Sequence, residues 1–103
     1  MKAFDPERFE GTWVSSLPFD SDDYLVEYTI EYKKGLMRVK ARDYRDGEIL
    51  KISKVRLVGE VLEFESLMPS TGRKGVNRLR LKRDGELHSE FTFTVVETLK
   101  RIH

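Results

Sequence analysis

Residues 24–33 read YLVEYTIEYK, and this alternation constrains the fold more than any other feature of the chain. Tyr24, Val26, Tyr28, Ile30 and Tyr32 make one aromatic and aliphatic face. Leu25, Glu27, Thr29, Glu31 and Lys33 make the other, mostly polar, face. Side chains on a strand alternate with a period of two, so the pattern predicts an antiparallel strand with one face buried. No long stretch of the chain carries a helical period.

Turn chemistry extends the prediction to neighbouring strands. A two-residue turn at Lys34-Gly35 sets Glu31 opposite Arg38 and Glu27 opposite Arg42, with Tyr32 on Met37 and Ile30 on Val39 on the other face. Arg45-Asp46-Gly47 suits a three-residue loop, which places Val39 opposite Ser53, Met37 opposite Val55 and Lys51 opposite Ala41. A turn at Gly59-Glu60 pairs Arg56 with Glu63, Lys54 with Glu65, Leu57 with Leu62 and Val55 with Phe64. Arg83-Asp84-Gly85 reads as the same three-residue loop used again, pairing Lys82 with Glu86, Arg78 with Glu90, Leu81 with Leu87 and Leu79 with Ser89. The stretch Pro69–Gly75, PSTGRKG, is the flexible loop.

Counting Gly11–Leu17 as the first, the chain gives seven strands, mostly joined in sequence order. The last, Glu86–Ile102, is long enough to bend and serve as two. The expected fold is therefore all-β: an up-and-down antiparallel β-barrel of 7–8 strands forming a single domain over residues 1–103, because closure removes exposed edges. The alternative is a homodimer, with an open sheet closed by a second copy. Leu50, Ile52 and Leu67, assigned to the outer face, would form a small apolar contact for it.

Nineteen basic residues balance eighteen acidic ones, for a formal charge of +1. That balance gives no long-range attraction to nucleic acid or to an anionic membrane. The absence of cysteine excludes disulfides and thiolate ligands. No apolar run is long enough for a membrane helix, and MKAFDPER carries no secretory core, so the expected location is cytoplasmic. His88 and His103 belong to no cluster with metal-ligand spacing, and no nucleophile-elbow, Walker or Rossmann pattern occurs. No catalytic residue and no metal or cofactor is assigned.

The inward parity mixes aromatic bulk with polar groups that a dry core would avoid. Tyr24, Tyr28, Tyr32, Val39, Phe64, Phe91 and Phe93 are candidates to line a site, with Asp43, Lys51, Ser53 and Ser66 as its polar members. Lys51 lies one inward step from Asp43, and burying either charge alone is costly. Two readings stay open: Lys51 extends to solvent at the rim, or it binds the anionic head of an amphipathic ligand. A barrel filled by its own side chains is the alternative to a pocket.

The opening stretch FDPERFEGTW has its own physical logic. Asp5 is a good helix N-cap and Pro6 fits the first helical position, so a short helical turn is expected. Gly11 lets the chain bend into the first strand, and Trp13 should face inward as a plug. Over these ten residues the chain resembles the entry segment of lipocalins, where F-D-x-x-R-[FY]-x-G-x-W leads into the first barrel strand. The resemblance implies a lipocalin-like, calycin-type barrel that binds a hydrophobic or amphipathic small molecule in its interior. It also implies that a late basic side chain, Arg101 with Lys100 as the competing choice, packs on the Trp13 indole. Some calycin-type barrels are enzymes, and an Asp–Lys or Asp–Tyr pair could serve acid–base chemistry, but binding is the expected role.

Overall fold

A computed structural model describes residues 4–14, 26–94 and 98–103. Asp5 caps a 3₁₀ turn over Pro6–Phe9, its carboxylate accepting from the Glu7 amide at 3.0 Å. Seven antiparallel strands follow: β1 (Gly11–Val14), β2 (Val26–Lys33), β3 (Leu36–Asp43), β4 (Lys51–Val58), β5 (Val61–Met68), β6 (Arg73–Leu81) and β7 (Leu87–Thr94). They form a three-stranded sheet ordered β1-β2-β3 and a four-stranded sheet ordered β4-β5-β6-β7. The sheets are not closed into a barrel. Each strand reverses the direction of the one before it, so the outer strands β1 and β7 run the same way.

The expected hairpin registers hold within each sheet except ahead of Arg56 in β4, where Ser53 and not Lys54 stands opposite Glu65, and Val55 is not paired with Phe64. Glu31 pairs with Arg38, Glu27 with Arg42 and Ile30 with Val39. Lys34 and Gly35 both adopt positive φ, 53° and 77°, as a primed two-residue turn demands. Leu57 pairs with Leu62, Arg56 with Glu63, Arg78 with Glu90 and Leu79 with Ser89. On the outer surface Glu63 lies between Arg56 and Arg78, at 3.3 and 3.5 Å, and Glu65 between Lys54 and Lys74, at 3.0 and 3.7 Å.

Between the sheets the expected register fails by one residue. In place of a ladder from Ala41–Lys51 to Met37–Val55, β3 and β4 are joined by a single bridge, Arg42–Ile49. Two backbone bonds support it, Asp43 to Glu48 at 2.8 Å and Leu50 to Ala41 at 3.0 Å. The loop holds four residues, Tyr44–Gly47, and the two RDG turns are therefore not alike. Asp43 supplies the reason. Its Oδ1 accepts from the Arg45 and Asp46 amides at 2.7 and 3.2 Å, stabilising the wider turn. The later RDG follows Leu81-Lys82, which has no such carboxylate, and it keeps the three-residue loop, with the Lys82 amide bonded to Glu86.

The slip turns Leu50 and Ile52 toward the core and leaves Lys51 and Ser53 exposed. An irregularity between Ser53 and Arg56 then restores the original phase, with Lys54 in the left-handed region at φ 54°. This is a β-bulge: one extra residue lets Leu50 and Ile52 before it, and Val55 and Leu57 after it, all pack inward. Leu50 and Ile52 thus belong to the interior and not to an outer dimer patch.

The core has two parts. Phe9, Ile30, Val39, Leu62, Phe64 and Leu79 form the larger, and Val26, Ala41, Leu50 and Met68 the smaller. Phe9 is fully buried, whereas Trp13 is only partly buried and donates its indole N–H to the Phe9 carbonyl at 2.9 Å. Phe9 therefore takes the plugging position expected of Trp13. The expected loop at Pro69–Gly75 is shorter, since Arg73 already begins β6. Residues 15–17 of the expected first strand, and Tyr24, lie outside the described residues. Residues 98–103 belong to no strand.

Two outcomes test this arrangement. Lys54→Val places a β-branched residue in the left-handed region and should cost about 1–2 kcal/mol, whereas Lys54→Asn should stay within about 0.5 kcal/mol; urea unfolding measures both. Lys54 first, with Lys74, holds the Glu65 carboxyl below its usual range. The stabilisation from that lowered pKa is present above the ordinary glutamate pKa, roughly 4.3, and is lost as pH falls through the lowered value. The stability gap between the wild-type chain and Glu65→Gln should therefore be seen at pH 7 and vanish in strong acid.

Candidate functional site

A cavity of about 750 Å³ opens between the two sheets. One wall comes from the first sheet, through Trp13 and Val14 of β1 and Val26 and Tyr28 of β2. The other comes from Ser66 and Met68 of β5, Asn77 and Leu79 of β6, and Leu87, Ser89 and Phe91 of β7. Leu50 completes the apolar lining, Arg73 stands at the β5–β6 hairpin, and Glu86 stands beside the β6–β7 turn. This volume falls within the range of small-molecule pockets.

Three polar side chains cross this apolar space. Asn77 is wholly buried, and its Nδ2 donates to Ser66 Oγ at 2.8 Å and to the Phe64 carbonyl at 3.4 Å. Its Oδ1 accepts from the Tyr28 hydroxyl at 3.3 Å, a bond from β2 to β6 that ties the two sheets together. The Tyr28 ring meets Phe64 edge-on at 5.8 Å, which sets its direction. An amide has two donors and an accepting oxygen, and here both kinds of group are used. Among the described residues no buried side-chain polar atom lacks a partner.

At the β5–β6 end the Arg73 guanidinium lies 4.7 Å from the centre of the Phe93 ring, and Phe93 stacks on Phe91 at 5.5 Å. Gly75 makes room for these rings. A Cβ there would sit 2.6 Å from the Phe91 ring and against the Thr92 carbonyl. A strand glycine under an aromatic ring marks such a close approach.

The cavity gathers only part of the expected set. Tyr28, Ser66 and Phe91 line it, Phe64 packs under Tyr28, and Phe93 stacks beside Phe91. Val39 is a core residue, and Tyr32 does not line the cavity. Asp43 uses its carboxylate on the loop amides, and no ion pair joins it to Lys51. Lys51 and Ser53 point outward because of the one-residue slip. Arg101 is exposed and lies outside the strands. Asn77 and Arg73 are the additions: Asn77 shares the parity of Leu79, whereas Arg73 falls within the expected loop Pro69–Gly75. Among the described residues no three His, Asp or Glu side chains gather to hold a metal ion. No helix of the described residues is long and apolar enough to cross a membrane. Comparison with protein-family models, curated proteins and solved structures returned no match.

Asn77→Ala should cost about 1–3 kcal/mol in urea unfolding, since it leaves enclosed hydrogen-bonding groups without their partner. Tyr28→Phe, which removes the hydroxyl bonded to Asn77, should cost about 0.5–1.5 kcal/mol.

Proposed function

We propose that this protein is a small lipocalin-like barrel that binds a hydrophobic or amphipathic small molecule between its two sheets. The single observation carrying this reading is the 750 Å³ cavity: its walls are mostly apolar, yet its polar groups are few and already oriented. The up-and-down strand order and the entry segment FDPERFEGTW support the barrel reading.

The chemistry assigns the parts of the ligand. Met68, Leu79, Phe91 and Trp13 bury its apolar body. Ser66 Oγ, which accepts from Asn77, keeps its own hydroxyl hydrogen for a ligand acceptor. Arg73 attracts a carboxylate or other anionic head, the role that Lys51 would otherwise have filled.

Native mass spectrometry of the purified protein, together with titration of a fluorescent fatty acid, tests the proposal. Displaceable binding at one site per chain is expected. Charge-assisted hydrogen bonds are worth about 1.5–3 kcal/mol, so Arg73→Gln should weaken the anionic probe roughly tenfold or more. It should leave an uncharged analogue nearly unaffected, and Lys51→Met should change neither. Failure of the probe to bind would favour a structural or interaction domain instead.

A further inference from the structure

β1 and β7 face each other across the cavity without pairing. Both edges contribute lining residues, Trp13 and Val14 from one and Leu87, Ser89 and Phe91 from the other. Because β1 and β7 run in the same direction, an antiparallel closure needs one further strand of opposite direction between them. Residues 98–103, TLKRIH, are all exposed, with Leu99 at 84% and Ile102 at 81%. Six residues are enough to span the four-residue edge of β1.

The route of this segment follows from turn chemistry. Among the described residues, each of the five connections from β2 to β7 uses a glycine at positive φ, between 61° and 88°. From Glu86 to His103 the sequence has no glycine, proline, asparagine or aspartate, and Thr94 is followed by the β-branched pair Val95-Val96. That composition lacks the residues that reverse a strand tightly.

We propose that residues 98–103 form an eighth strand donated to a second copy of this chain, entering between its β1 and β7 antiparallel to both. Two chains thereby complete each other's cavity walls. Continued alternation gives Leu99 the parity of Phe91 and Phe93, so it enters the partner's cavity, while Ile102 covers the outer face. Lys100 and Arg101 arrive at edges carrying Glu10, Glu86 and Glu90. The exchange covers both open edges, which otherwise invite uncontrolled pairing, and its twofold symmetry closes the assembly at two copies. It deepens the ligand-binding reading and rests on the same cavity.

Sedimentation of the full chain should give twice the 12.1 kDa mass. A cysteine-free background allows a direct test of the strand's origin: Thr12→Cys with Lys100→Cys, joined by a short bismaleimide. Exchange predicts a product of two linked chains on a denaturing gel, and Leu99→Asp should weaken dimerisation at least tenfold. Val95→Asn with Val96→Gly, which supplies a turn, should shift the protein to monomer. A wild-type monomer, or a link formed within one chain, would overturn the exchange. The fatty-acid titration separates the two readings. Binding by a monomer defeats the exchange alone, and a dimer with linked chains and no probe binding defeats the ligand alone.

Discussion

Leu50, just ahead of β4, and Ile52 lie before Lys54, and Val55 and Leu57 lie after it, on opposite parities. All four can face the same interior only because the chain takes one extra residue at Lys54, with φ at 54°. The bulge costs the strain of a lysine in the left-handed region and breaks the ladder to β5 locally. It gains the burial of Leu50 and the partial burial of Ile52, Val55 and Leu57, where a fully enclosed side chain of this size is worth about 1.5–3 kcal/mol. The balance falls clearly on the side of burial, and the junction between the two sheets depends on it.

Lys54 also keeps an electrostatic role at the bulge. Its ammonium reaches Glu65 at 3.0 Å, although Ser53 is the residue directly opposite. The outer surface thus keeps its alternating charges while the inner surface changes parity. Exposed pairs of this kind add little to stability. They do favour the observed register, since it sets unlike charges beside one another.

Inside, the Tyr28–Asn77–Ser66 chain explains how a space of this size stays ordered. An entirely apolar gap between two sheets invites collapse, whereas an enclosed amide that satisfies its partners holds the walls at a fixed separation. Asn77 reaches across to β2 and sideways to β5, so one side chain fixes three strands. At the other end Phe9 seals the base, and the indole N–H of Trp13 fastens the 3₁₀ turn to β1. Tryptophan beside FDPERFEG is therefore a hinge pin and a wall residue together.

Alternation and glycine turns made the hairpin registers within each sheet readable from the chain alone, because strand parity and turn length are local properties. The capped turn at Pro6–Phe9 was readable for the same reason. The β3–β4 connection was not, since RDG accepts either loop length and the choice rests on Asp43 bonding to amides two and three residues ahead. That choice moved Lys51 and Ser53 out of the site and Leu50 into it. Arg73 and Asn77 join Tyr28 only through the approach of two sheets, a separation in sequence that no local pattern encodes. The sequence by itself determined strands, turns and the composition of each face, because these follow from near-neighbour sterics. Tertiary structure decided which parity of β4 met the core, because only there does the gain from burial outweigh the strain of the bulge.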